Sequence, residues 1–274
     1  MAQIQILGSA AAEAIPAIFC SCRVCNEARK NGGKDVRLRT AYKINDRIRV
    51  DFGPDSIAQD HRFGLCSENL RHIFITHSHC DHLNKELFSF RSKWISHPEN
   101  DLTVYGNATV LKTIASVAFP LEDYKLRLTR LNYFEPVDLP EEDMTFYPMQ
   151  ADHMKSEQAM FFAVRHGEKL FMIANDTGFP GENNWEYMHR MNMKFDFVIA
   201  DCTSLAIDSE NNHMGRKFAV KMKERMLEEK LLTAESRFIV NHFSHNGLMT
   251  HAEAEEFFSA HNILVGFDGM IIEY

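Results

Sequence analysis

The chain has 274 residues, enough for one large domain with a substantial buried core. Its apolar fraction of 45% and charged fraction of 25% are those of an ordinary globular protein. A net charge of −8 argues against broad electrostatic attraction to nucleic acid. No apolar run approaches the length of a membrane span, and no Lys or Arg precedes Arg23, so the start lacks the basic end of a signal peptide.

In chain order, Ile4-Gln5-Ile6-Leu7-Gly8 reads as a first strand over 3–7. Cys20, Cys22 and Cys25 follow at a spacing that suits metal ligands in a reducing compartment better than disulfides, so a cytoplasmic location is expected. Alternating apolar residues predict strands over 38–44 and 47–52, with Asn45-Asp46 turning one into the other as a hairpin. Arg37 and Arg39 read as a solvated strand edge, with contact to a substrate phosphate as the alternative. Further strands are expected over 72–76, 102–105, 144–149, 159–165, 169–174, 196–200, 237–241 and 269–273. Helical spacing marks 107–118, 184–192, 214–231 and 251–260, the last capped by Thr250 with Glu253 three positions on. Hairpins interspersed among alternating strands and helices exclude a simple doubly wound sheet. Two mixed sheets packed together with helices outside fit better: an α+β fold, with 1–274 as one domain.

The densest chemistry is Thr76-His77-Ser78-His79-Cys80-Asp81-His82, directly after Ile73-Phe74-Ile75. Histidine is the commonest transition-metal ligand and Asp a hard anionic one, so this run suggests two metal ions sharing one loop. No helix face collects all four ligand-type residues, because helical neighbours lie three or four apart; a turn after a strand can. His153, Asp176 and His242 each follow an apolar strand in the same way. Singly, each reads as a solvated loop residue; together they repeat one placement, and His77, His79, Asp81, His82, His153, Asp176 and His242 could hold two metals with Asp176 bridging. Cys20, Cys22 and Cys25 offer three thiolates for a tetrahedral zinc, and His245, three residues after His242, is the candidate fourth ligand. Three buried free thiols is the alternative. Cys80 is expected to point into the packing.

The His-x-His-x-Asp-His run with a later His, Asp and His resembles the metallo-β-lactamase superfamily. That resemblance implies a four-layer αββα sandwich. It also implies one metal on His77, His79 and His153, a second on Asp81, His82 and His242, and Asp176 between them. Asp51, in Val50-Asp51-Phe52-Gly53, matches an early strand-end aspartate of the family that supports the ligands or the fold. The Cys-x-Cys-x-x-Cys cluster with His245, the Val265–Met270 ending and Asn212-His213 are similar to the PhnP-like branch, which includes phosphoribosyl cyclic phosphate phosphodiesterases. Asn84-Lys85 departs from that pattern where a glycine is usual, as does Asp152-His153-Met154.

The resemblance implies a metal-dependent phosphodiesterase opening a small cyclic phosphate, with His213 as proton donor to the leaving group and Asp81 counted among the catalytic residues. Two catalytic divalent ions, Mn or Zn, and one structural Zn are expected, with a small phosphoester as substrate, no membrane or nucleic-acid partner, and a homodimer in keeping with related enzymes. Asp201, after Phe197–Ala200, is expected to support a ligand histidine. Hydrolysis of a lactone or thioester, a role like that of a pyrroloquinoline-quinone synthesis protein, and tRNA 3′ maturation are the competing readings.

Overall fold

Along Phe197–Asp201, successive side chains leave on opposite faces, as the period of a strand requires. Phe197 and Ile199 enter one buried cluster and Val198 and Ala200 another. A strand apolar on both faces belongs in the middle of a layered structure. The computed structural model describes residues 2–274 and has that layering.

The strands are β1 (Gln3–Gly8), β2 (Ala41–Lys43), β3 (Ile48–Val50), β4 (His72–Phe74), β5 (Leu102–Gly106), β6 (Leu126–Arg130) and β7 (Val137–Leu139). They continue with β8 (Met144–Gln150), β9 (Met160–His166), β10 (Lys169–Ala174), β11 (Phe197–Asp201), β12 (Arg237–Asn241), β13 (Leu264–Val265) and β14 (Ile271–Glu273). One sheet runs β14-β1-β2-β3-β4-β5-β6 and the other β13-β12-β11-β10-β9-β8-β7. In each, antiparallel pairings give way to parallel ones, at β3–β4 in the first and β10–β11 in the second. The helices are α1 (Arg23–Asn31), α2 (Ser56–Phe63), α3 (Glu86–Ser89), α4 (Ala108–Ala115), α5 (Glu182–Arg190), α6 (Arg216–Glu228) and α7 (His251–Ser259).

Between the sheets lie Ile6, Val50 and Phe74 from one and Phe146, Phe162, Phe171 and Ile239 from the other. Phe74 stacks on Phe146 with ring centroids 3.6 Å apart and on Tyr105 at 4.3 Å. Truncating such a residue to Ala costs about 3–5 kcal/mol. Trp185 and Met188 of α5, Met222 and Met226 of α6 and Phe258 of α7 cover the outer face of the second sheet. Phe88 of α3 and Val110 and Ile114 of α4 cover the first. The result is the expected α+β sandwich with helices outside.

The sequence reading differs from the structure where short polar elements hide their period. Helix α1 starts inside the cysteine cluster: Cys22 is its N-cap, its sulfur accepting the Cys25 N–H, and only Val24, Cys25 and Ala28 are buried. Helices α2 and α3 and strands β6, β7 and β13 are likewise additional to the expected elements. The β2–β3 connection is wider than Asn45-Asp46, since Ile44 N–H pairs with Ile48 O and the Asn45 side chain accepts the Arg47 N–H. Arg37 is not a solvated edge residue, whereas Arg39 is half-buried and its Nε donates to the carbonyl of Ala12, on the wall of the cleft that holds His79 and Asp81. Arg37 is buried, donating to Ser9 Oγ, Gly266 O and His251 Nδ1, and Arg39 pairs with Asp55 at 2.9 Å. Cys80 is exposed rather than packed, because the loop turns its side chain away from both sheets' cores.

Candidate metal centre

The ligand candidates come from one edge of the sandwich. Asp51 follows β3, His77–His82 follow β4, His153 follows β8, Asp176 follows β10 and His242 follows β12. Parallel register aligns these ends, with Val50 opposite Phe74 and Asp201 opposite Asn241. Asp51, Asp176 and His242 have φ of 64°, 50° and 65°, left-handed values that a non-glycine residue adopts at a cost, and they turn the chain out of its strand where a ligand is needed. A Cβ on Gly53 would meet the Asp81 carbonyl at 1.9 Å, so only glycine lets the ligand loop rest on this strand end. Beneath, the buried Tyr42 hydroxyl of β2 accepts from the side-chain amides of Asn175 and Asn241, tying the neighbours of Asp176 and His242 to the opposite sheet.

Two groups of ligand atoms converge. His77 Nε2 lies 2.9 Å from His79 Nδ1, and His153 Nε2 lies 3.2 Å from the same atom. Three nitrogens about 2.1 Å from one tetrahedral ion would sit about 3.4 Å apart, so this spacing fits a shared metal. His82 Nε2 is 3.1 Å from Asp81 Oδ2 and 2.9 Å from Asp176 Oδ2, and His242 Nε2 is 2.9 Å from that same oxygen. Asp176 Oδ1 faces His153 Nε2 at 3.7 Å, so its two oxygens address the two groups separately. His82 Nε2, His242 Nε2 and Asp176 Oδ2 are buried and make no hydrogen bond of acceptable geometry despite their closeness. Buried polar atoms are almost always paired, and a cation held here would supply the missing partner.

The electrostatics agree. Burial alone raises a carboxyl pKa and lowers that of an imidazole. Yet against that burial the His82 and His242 rings hold Asp176 well below the usual carboxylate range, and Asp176, Asp81 and Asp51 hold His82 well above the usual histidine range. His77 is pushed down by burial and by the His82 ring. The anionic groups therefore stay ionised, ready for cations.

Each group is oriented from behind. Asp51 accepts from His82 Nδ1 at 2.6 Å, leaving Nε2 to face the metal, and accepts the hydroxyl of Thr76, which in turn contacts His77 Nδ1 at 3.1 Å. Asp201 accepts from the Thr203 hydroxyl at 2.8 Å, and that hydroxyl contacts His242 Nδ1 at 2.8 Å. The expected support from Asp201 thus reaches His242 through Thr203, which the sequence reading does not single out.

His213 Nδ1 lies 3.2 Å from Asp201 Oδ2, and its ring centroid lies 4.9 Å from that of His153 and 5.7 Å from that of His242. Burial would lower its pKa, but the Asp201 carboxylate outweighs that and raises it to about 9. It lines the same cleft of about 510 Å³ as His79, Asp81, Asp176 and His242.

The second cluster also closes. Cys20, Cys22, Cys25 and His245 bring one ligand atom each within 4.8 Å of one another. His245 Nδ1 lies 3.6 Å from Cys20 Sγ and 3.4 Å from Cys22 Sγ, against about 3.6 Å between sulfur and nitrogen on one tetrahedral zinc. Although burial pushes its thiol up, the Cys25 N–H and the His245 and Cys20 side chains draw Cys22 down to about 6. Glu13, also absent from the sequence reading, accepts from Ser244 Oγ and lies 3.6 Å from His245 Nε2, while its side chain lines the cleft. Nothing in its local sequence, Ala-Glu-Ala, marks it; the contact is across 231 positions.

The β-lactamase superfamily domain matches residues 46–243, well over half of the chain and all seven catalytic ligand candidates. The chain belongs to that superfamily. A diphosphatase of the PhnP family has a similar structure, with a TM-score of 0.76 at 20% identity, over 100% of this chain and 97% of that one. Zn(2+)-bound PqqB from Methylobacterium extorquens superposes with a TM-score of 0.74 at 15% identity, over 99% and 100%. The short form of human tRNase Z gives 0.65 at 14%, over 99% and 98%. A curated octanoyltransferase of Porphyromonas gingivalis is 32% identical over 114 residues, 40% of this chain; the match spans about a fifth (21%) of that protein.

Proposed function

We propose that this superfamily member is a metal-dependent hydrolase that opens a small cyclic phosphodiester. The observation that carries the reading is His213, which its surface loop turns inward to Asp201, beside the two candidate ligand groups. One divalent ion would sit on His77, His79 and His153 and another on Asp81, His82 and His242, with Asp176 between; Mn(II) and Zn(II) both suit these donors. When bound, they supply hydroxide at neutral pH and offset charge on the phosphoryl oxygens. With Nδ1 turned to Asp201, His213 presents Nε2 to the cleft, where it gives its proton to the departing alkoxide. The Asp201 carboxylate keeps the ring protonated until that transfer and orients it for reprotonation. Cys20, Cys22, Cys25 and His245 would hold a structural zinc, and 1–274 acts as one catalytic domain because both sheets supply ligands.

A completely filled ligand set favours a hydrolase over a non-hydrolytic pathway role like that of the PqqB branch. The match to an octanoyltransferase favours, as a second reading, an acyl ester or thioester on the same centre. Turnover of a panel by Mn- and Zn-loaded protein separates the two. Ribose 1,2-cyclic phosphate, 2′,3′-cyclic nucleotides and bis(p-nitrophenyl) phosphate form one arm, and an octanoyl thioester and a lactone the other. Hydrolysis confined to the second arm refutes the phosphodiesterase reading.

A further inference from the structure

Beside the metal cleft lies a larger groove of about 820 Å³. It shares His153 with the cleft, and its wall at Asn211 leads directly into Asn212 and His213, so it opens on the proton-donor side of the centre. Apart from Lys155 at the lip, its free groups are uncharged hydrogen-bonding ones. The Gln150 side-chain carbonyl accepts from Asn183, so its amide N–H atoms are left without a partner among the described residues, as is the Asn211 side chain. The carboxylates on its wall are already engaged: Glu157 accepts from Ser78 at 2.7 Å and Asn107 at 2.8 Å, and Asp152 from the Asn212 N–H at 3.2 Å. Lys155 is exposed at the lip with no ion pair among the described residues. Tyr133, half-buried against the core between the sheets, and Phe179 also line the groove, the latter with Lys221 Nζ 4.9 Å from its centroid.

An acyl chain would leave these amides unpaired, at a cost in each case. Side-chain amides and an aromatic face are instead what a ribose and a heterocyclic base use: the amides pair with hydroxyls and base edges, and the ring stacks. We infer that this groove binds the nucleoside part of a nucleotide substrate, whose released alkoxide takes the proton from His213 while the phosphate stays on the neighbouring oxygen. The inference rests on the phosphodiesterase reading and narrows it from a small cyclic phosphate to a nucleoside one. Tyr133 stacks on the base, Gln150 and Asn211 take its edge or the ribose hydroxyls, and Lys155 at the lip meets any further phosphate.

The test is equilibrium binding of adenosine 5′-monophosphate to metal-loaded protein, with ribose 5-phosphate and octanoate as comparison ligands. Adenosine 5′-monophosphate should bind at least about ten-fold more tightly than ribose 5-phosphate, Tyr133→Ala should erase most of that difference, and Tyr133→Phe should keep it, since stacking needs the ring and not the hydroxyl. Equal binding of the two phosphates, tighter binding of octanoate, or an unchanged preference in Tyr133→Ala overturns the inference. Because binding is read without turnover, the two proposals fail separately. Base-dependent binding by a protein that hydrolyses no phosphodiester sinks the activity and keeps the groove. Hydrolysis of bis(p-nitrophenyl) phosphate without base-dependent binding does the reverse.

Discussion

Asp51→Asn is the sharpest perturbation the centre offers, because one buried carboxylate orients a ligand in each metal group. Its Oδ1 accepts the Thr76 N–H at 2.9 Å, and its Oδ2 accepts His82 Nδ1–H at 2.6 Å. The substitution is nearly isosteric, so packing is conserved. The new amide N–H must face either His82 Nδ1 or the Thr76 N–H. The first choice forces His82 to carry its proton on Nε2, the atom aimed at the metal; the second sets two donors against each other. Loss of such support behind a ligand histidine costs about 10–100-fold in metal affinity, or about 1.4–2.7 kcal/mol. Chelator competition with Mn(II) and Zn(II) reads this directly. We expect the ion on Asp81, His82 and His242 to weaken by that factor, with a smaller effect on the other through Thr76 and His77. Zinc at the cysteine cluster should be unchanged. Affinities within two-fold of the parent protein would refute the assigned tautomer and the role of Asp51.

Three further outcomes follow from the same geometry. His213→Ala should lower phosphodiester turnover by about 10²–10⁴ while metal content, measured by elemental analysis, stays at the parent value; surviving turnover would remove His213 as the donor. Cys22→Ser should release about one zinc per chain and lower the melting temperature, since a closed zinc site adds directly to folding energy; unchanged zinc and melting would remove that site. His251 accepts from Arg37 at 2.7 Å, and burial, then the Arg37 charge, lowers its pKa to about 4. The folded state therefore disfavours the proton: the stability is present above the ordinary value near 6.5 and is lost as pH falls toward 4. Discounted for solvent around the half-exposed Glu255 carboxylate 2.8 Å from Nε2, the loss is about 1–2 kcal/mol. Denaturant titrations of His251→Asn, which keeps an acceptor for Arg37, should show a shallower decline across that window, and an identical decline would reject the account.

The sequence makes the candidate metal centre legible because its residues are dense or repeat one placement. His77, His79, Asp81 and His82 fall in one turn, and His153, Asp176 and His242 each follow an apolar strand, a pattern that needs no knowledge of which strands are neighbours. The two-sheet architecture was readable for a similar reason: β8 to β12 are long enough to show their period. What stays hidden depends on long-range pairing or on chemistry that serves two purposes. Arg37 looks like an edge residue until Ser9, Gly266 and His251 close over it. Helix α1 hides because Cys22 and Cys25 read as ligands, while Cys22 also caps the helix and Cys25 packs in it.

Thr203 shows the same limit and also a rule behind it. The first sheet supplies Asp51, Thr76 and His77, and the second supplies Asp201, Thr203 and His242, each as a carboxylate, a hydroxyl and a ligand imidazole in line. In both, the hydroxyl gives its proton to the carboxylate and so must accept from Nδ1, which leaves Nε2 free for a metal. The hydroxyl fixes the tautomer only because the carboxylate fixes the hydroxyl. Valine at either Thr position would keep the volume but lose that direction, so the effect of Thr203→Val should resemble that of weakening the His242 ligand itself, while Thr203→Ser should be close to silent. Asp201 carries one further duty that Asp51 does not: it also faces His213. The two relays are therefore alike in holding candidate metal ligands, and the second sheet's relay alone reaches His213, the proposed proton donor.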